Sequence, residues 1–223
     1  IWSKVGYRMT VTIDGANGIT TPDLTSTDNI VANGSAVLTS ASNVASTNLT
    51  GTISSARMPS GSIIQITGGS SIPGQGINTT STSFVDSGII EVVITPLAAA
   101  SKIYVKMDGF HTHTNPQADN FGGSLHIYRK IDSGSYAPVN GSSTNGLWGA
   151  YKNNQYGDAW LDVVAGMQYL DSPTYTVGQV LTYRAFYKKS TRGTAAFWVN
   201  HQGGITAYMG QINVIATAME IVG

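Results

Sequence analysis

The chain has 223 residues and no formal net charge at neutral pH, with 12 Lys and Arg against 12 Asp and Glu. Charged residues make up only 11% of it, against a usual ~25%, and the balance is three against three in residues 1–60, leaving nine against nine afterwards. The absence of a basic block argues against a nucleic-acid partner. No apolar run approaches the ~20 residues of a membrane-crossing helix, so membrane insertion is not expected. Cysteine is absent, so stability has to come from burial, and oligomerisation is one way to raise it. Solubility rests on hydroxyls, amides and glycine, a composition common in exterior fibrous assemblies.

The opening Ile1-Trp2-Ser3-Lys4 does not look like an initiator end, and the chain reads as the ordered part of a longer polypeptide. Between Tyr7 and Phe84 there is no aromatic residue; from Phe84 onward there are eighteen. Isolated Leu, Ile and Val residues among Ser, Thr, Asn and Gly gain too little burial to offset roughly 1–2 kcal/mol of backbone entropy per residue. Residues 1–60 are therefore expected to be a slender, β-rich stem that orders only when several copies intertwine. Short strand-like pieces at Ile30-Val31 and Val37-Leu38 flank Asn33-Gly34, a turn signal because both residues tolerate positive φ. No helical apolar periodicity supports a coiled coil.

Residues 48–59 read Asn-Leu-Thr-Gly-Thr-Ile-Ser-Ser-Ala-Arg-Met-Pro. This segment resembles one that recurs in bacteriophage tail-fibre proteins, "N-L-T-G-T-I-x-x-A-R-L-P", with Met58 in place of leucine. Leu49, Ile53 and Met58 are too few for a private core but would stack about a threefold axis, with Arg57 outside against a neighbouring chain.

From Gly61 the pattern becomes that of a head domain, residues 61–223. Ile64–Thr67 alternates apolar and polar, Ile89–Ile94 is a buried-type run, and Ile103–Met107 alternates again. Further strands are expected at Ser124–Ile131, Ala159–Leu170, Val180–Lys188, Ala195–Asn200 and Ile212–Val222, separated by Gly, Asn, Ser and Pro clusters. About eight strands without a convincing helix predict an all-β, antiparallel, jelly-roll-like sandwich. Three stretches resemble a β-domain common near the C-terminus of phage tail fibres. They are Ser81–Gly88 with Ile94-Thr95-Pro96 and Ser101–Val105, then Leu170–Pro173 with Leu181–Arg184, then Ala218–Ile221. The resemblance implies a β-sandwich head, a homotrimer on the virion exterior, and attachment to a host surface glycan or outer-membrane receptor. It also implies contact with other tail or virion proteins through a missing N-terminal part. Residues 108–122 and 140–160 depart from the family pattern.

Within residues 140–160, Trp148, Tyr151 and Tyr156 lie among Gly, Ser, Asn153 and Asn154. Aromatic faces pack on sugar C–H surfaces while amides bond hydroxyls, so these five residues are the receptor-contact candidates; the alternative is that the rings anchor a long loop. His111 and His113 share a strand face and in a trimer would offer six nitrogens to a transition metal; two ordinary exposed histidines are the alternative. Asp158 and Asp162, four residues apart on one strand, would stand ~13 Å apart, beyond glycosidase spacing. No nucleophile motif or phosphate loop is present, so neither an enzyme nor a cofactor is expected. A phage tail fibre that binds a receptor is the expected function; a purely structural fibre module is the first alternative and a capsule depolymerase the second.

Overall fold

The computed structural model describes residues 57–70, 76–113, 121–152, 162–192, 196–200 and 213–223, together with the backbone of two short strands at 31–32 and 35–36. The chain divides into two compact units, Ile1–Thr52 and Ile53–Gly223. In the first, β1 (Val31–Ala32) and β2 (Ser35–Ala36) pair antiparallel, with Ala32 opposite Ser35. The two strands flank the Asn33-Gly34 pair, where a turn is expected from sequence.

The second unit is all-β, two antiparallel sheets in a sandwich-like arrangement. The first sheet holds β3 (Ile63–Ser70), β4 (Ile77–Thr79), β6 (Lys102–His113), β10 (Asp162–Asp171), β12 (Phe197–Val199) and β13 (Ile215–Ile221). β6 is its centre: β10 pairs along one edge, and β13 and β12 share the other, opposite residues 102–108 and 112–113. β3 and β4 pair outside β13 and β12. The second sheet runs β5 (Val85–Ile94), β11 (Leu181–Lys189), β7 (Phe121–Ile131). The far edge of β7 is shared by β8 (Ala137–Pro138) and β9 (Trp148–Lys152). The expected strands are present with shifted ends. β4, β8 and β9 are additional, because runs of two to five residues carry too little alternation to read.

The inner faces supply the core: Ile103, Val105 and Met107 from β6, Leu125 and Ile127 from β7, Leu181, Tyr183 and Ala185 from β11, Ala216 and Ala218 from β13. Two glycines change the phase of the alternation. Gly109 has φ +88°; Asp108 pairs with Gly166 and Phe110 with Ala165, so Gly109 is a bulge residue that turns Phe110 and Thr112 inward after Met107. A Cβ there would lie 2.6 Å from the Asn213 carbonyl oxygen. Gly88, at φ +65°, lies in a second irregularity, where Ser87–Ile90 of β5 stand against Ala185 alone and Ile89 and Ile90 are both buried. The run Ile89–Ile94 is thus not buried on both faces as expected: Glu91 and Val93 point outward.

One inward row across three strands ends the core with charge. Ile103 pairs with Asp171 on one side and with Glu220 on the other, and both carboxylates are buried. Glu220, at 0% exposure, accepts hydrogen bonds from the Leu97 and Ala98 amides (2.9 and 3.0 Å), Ser101 Oγ (2.8 Å) and Gln65 Nε2 (2.8 Å). It thereby holds the connection that carries the chain from the second sheet to the first. Asp171 accepts from the Tyr183 hydroxyl (2.8 Å) and from Arg129, both on the opposite sheet. Tyr175 completes the corner: its hydroxyl accepts from the Ser101 amide and donates to Ala98 O.

The outer face of the first sheet carries an apolar row in register, Ile66–Met219–Tyr104–Leu170. Ile66 is 61% and Leu170 48% exposed.

Replacing Glu220 leaves the buried Ser101 hydroxyl and the part-buried Leu97 and Ala98 amides without their acceptor, so Glu220→Ala is expected to lower unfolding free energy by about 3 kcal/mol, and Glu220→Gln, which keeps one acceptor oxygen, by less. Urea unfolding of the intact chain followed by intrinsic fluorescence checks this; an unchanged midpoint for Glu220→Ala would contradict the assignment.

Candidate functional site

At the end of the second sheet where β11 leaves and β9 pairs with β7, small residues make a shallow depression. Ser124 pairs with Gly149 of β9 and Lys188 of β11, and Gly122 pairs with Tyr151. The Ser190 amide donates to Gly122 O (2.8 Å), which draws the turn after β11 to the same place. The result is an open groove of about 400 Å³ whose lining residues include Ser124, Tyr151, Lys188, Lys189, Ser190 and Arg192. That volume lies in the range of small-ligand pockets, ~300–1,000 Å³.

Each wall has a local cause. Tyr151, 43% exposed, lies against Gly122: a Cβ on that glycine would come 2.9 Å from the tyrosine Cδ2. The glycine gives the ring its seat, an arrangement that protects a bare strand position as well. Gly123 faces the core, where Phe197 occupies the place a side chain would take (2.2 Å from its Cγ). Lys188 donates to Thr144 O and stands 4.6 Å from the Phe84 ring centre, so its ammonium is held in place with further donors available.

Beside the groove, the outer face of this sheet is covered by a second aromatic cluster. Phe84 meets His126 edge-on at 5.3 Å, and Tyr128 stacks on Phe186 at 4.1 Å, with Tyr136 beyond at 5.4 Å. Lys130 and Arg184 lie over Tyr136, and Arg184 also pairs with Asp86 and Glu91. β11 is therefore buried on both faces. His126 is fully buried in this cluster; Nδ1 lies 2.8 Å from Ile127 O and Nε2 2.8 Å from Asn140 Oδ1. Burial lowers its pKa, aided by the Lys188 charge and opposed by the contacts to Asn140, Ile127 and Ser142.

Of the residues picked from sequence, Trp148 and Tyr151 lie on strand β9 and not in a loop. Trp148 pairs with Leu125 and packs on the core half-buried; Tyr151 faces the groove. Asn153, Asn154 and Tyr156 lie outside the described residues, as do Leu49, Ile53 and Asp158. Met58 is half-buried in a bend. His111 and His113 both fall on β6, beyond its bulge, opposite Val164 and Asp162. Among the described residues no three His, Asp or Glu side chains gather as metal ligands, and no helix is long and apolar enough to cross a membrane. Lys188, Lys189, Ser190 and Arg192 escape sequence reading; the run Lys-Lys-Ser-Thr-Arg was a signal only in that a polar cluster closes an apolar strand. No protein-family model and no curated protein matches this chain.

The His126 pKa is lowered in the folded state from the ordinary 6.5. Below pH 6.5 the unfolded chain takes up the proton first, so stability is lost as pH falls from about 6.5 through the folded value. An NMR titration of the imidazole is expected to give a midpoint below 6.5, and His126→Gln should flatten the fall of Tm over that window. A midpoint at or above 6.5 would contradict this.

Proposed function

We propose that the chain is the distal part of a bacteriophage tail fibre on the virion exterior. In this reading residues 1–60 form a trimeric stem, and residues 61–223 a jelly-roll-like head that attaches the particle to a host surface glycan. The observation that carries the reading is the groove beside Tyr151. An exposed ring, hydroxyls and the Lys188 ammonium, held by Thr144 O and the Phe84 ring, meet on a shallow floor, a composition that recognises a saccharide by stacking and hydrogen bonding. The segments on which the tail-fibre resemblance rests add the context of a fibre. The contact is non-covalent. Three shallow grooves per trimer, on several fibres per particle, give avidity without a tight single site.

A second reading, a structural module that joins or trimerises virion parts, draws on the apolar row Ile66–Met219–Tyr104–Leu170. An exposed apolar sheet face of this kind is an interaction surface more often than a solvated one.

Two measurements separate the readings. Sedimentation is expected to give the mass of three 23.4 kDa chains; a compact monomer would remove the stem assignment. Purified protein is expected to compete with virions that carry this chain for adsorption to their host cells. Tyr151→Ala should weaken that competition about tenfold or more with at most a small fall in Tm, since a ring this exposed covers little beyond Gly122. A trimer that does not compete at all favours the structural module.

A further inference from the structure

We infer that the outer face of the first sheet is the surface through which the heads of neighbouring copies of this chain meet. The inference rests on the several-copy reading given above and supplies the contact surface that reading lacks. The two outer faces of the sandwich differ. That of the second sheet is covered by its own aromatic cluster and by Arg184, which is paired with Asp86 and Glu91. That of the first sheet carries the row Ile66–Met219–Tyr104–Leu170 across four strands. Ile63 stands opposite Ile221 at one end of this face, and Ile215 and Val164 lie toward the other. Five of the ten large apolar side chains exposed among the described residues share this one face, Ile63, Ile66, Val164, Leu170 and Ile215, so it is the main apolar patch of the head.

Three observations make a second copy the occupant. The polar groups among the apolar rows are already paired within the face: the Tyr104 hydroxyl donates to Gln168 Oε1 (2.6 Å), and Lys106 pairs with Asp108. Lys102 stands in the end row, opposite Ile221. The centre therefore carries no net charge to repel an identical face, and an apolar protein surface suits it better than a polar ligand does. The chain also enters the head at the Ile63 end, where the Gly61 amide donates to Val222 O and the Val222 amide to Ser62 O, both 2.9 Å. Copies joined through residues 1–60 are thus tethered at this end of the face. Last, four strands and seven residues give a flat footprint of roughly 450 Å², below the ~800 Å² per partner of a stable pair of free proteins. An untethered partner would hold such a face weakly, whereas a copy on the same stem meets it at an effective concentration in the ~mM range. With one face from each copy turned to a threefold axis, equal levels coincide, and each row meets its own counterparts.

The chain has no cysteine, so single introduced thiols report coverage in the intact protein. Leu170→Cys marks the face, and Ser135→Cys, exposed in the connection between β7 and β8, is the reference. Labelling by a polyethylene glycol maleimide is followed beside sedimentation. The multi-chain form is expected to label at position 170 about tenfold more slowly than at 135. Adding Ile66→Lys to Leu170→Cys should bring the two rates together, whether the copies separate or stay joined through the stem. Ile66 is 61% exposed within one chain, so the lysine should leave the circular dichroism of the head unchanged. A multi-chain form that labels equally at both positions overturns this surface and leaves the trimer reading intact. A monomer in sedimentation overturns both. Slow labelling at 170 that survives Ile66→Lys shows that something other than the matching face of a second copy covers it, and overturns the assignment.

Discussion

The head closes because two carboxylates point inward at one end of the sandwich. A crossing between sheets leaves part-buried backbone amides with no strand to pair with, and an orphaned amide costs about as much as a lost hydrogen bond. The connection 95–101 has this problem at Leu97 and Ala98, and Glu220 answers both with one side chain that also takes Ser101 and Gln65. A buried charge is costly unless its acceptor sites are filled, and here they are. Asp171 does the equivalent across the sandwich, where Tyr183 and Arg129 of the second sheet come to a strand of the first. The desolvation of the phenol, followed by the charge of Asp171, pushes the Tyr183 pKa far up, so the hydroxyl remains a donor at any ordinary pH. Both devices join residues far apart in sequence; Glu220 reaches back some 120 positions to Leu97. Closure of this end must therefore follow the arrival of the last strand, the late, non-local step expected of sandwiches.

That end of the fold is also where the sequence was most legible. Ser101, Asp171, Tyr183 and Glu220, which lie inside the resembling segments, bond one another in pairs, Ser101 with Glu220 and Tyr183 with Asp171. Their recognisable spelling has a physical cause: each position needs a particular donor, acceptor or ring, and few substitutes satisfy the partner. The strands were legible for a different reason, since Val105 or Leu125 facing the core beside polar or amphipathic neighbours is a pattern of period two. What broke the pattern was glycine. The irregularities at Gly88 and Gly109 each add residues to one strand of a pair; in β5 the phase change makes an alternating strand read as a uniformly apolar run.

The groove was half legible. Tyr151 stood out as an aromatic among small polar residues, but its role depends on Gly122 lying opposite, and that pairing links residues 29 positions apart through a strand too short to detect. Trp148 shows the same limit from the other side: three residues away, it faces the opposite way and belongs to the core. Lys188, Lys189 and Arg192 carried no signal beyond a polar cluster that closes an apolar strand. Only the β9–β7–β11 order sets them across a small-residue floor from the tyrosine. Local composition locates a loop or a strand end; which of these meet is a property of strand order.

The distance between the two regions has a consequence for what the head can tolerate. Arg129 and Tyr183 bond Asp171 near one end of β7 and β11, while Ser124 and Lys188 lie five residues further along each strand, some ~17 Å away at ~3.4 Å per residue. Between them the outer aromatic cluster of His126, Tyr128 and Phe186 covers the sheet and makes β11 buried on both faces. Substitutions in contact or in one network couple, whereas sites more than ~7–10 Å apart with no shared partner add independently. The groove can therefore exchange its cations, hydroxyls or ring for others with little effect on the closure at Glu220 and Asp171. The exception is its glycines. Gly122 and Gly123 carry the tyrosine on one face and Phe197 on the other, so the floor is part of the fold even though the walls are not. A surface whose walls are free to change over a floor that is not is what a recognition site requires if the partner varies and the scaffold must persist.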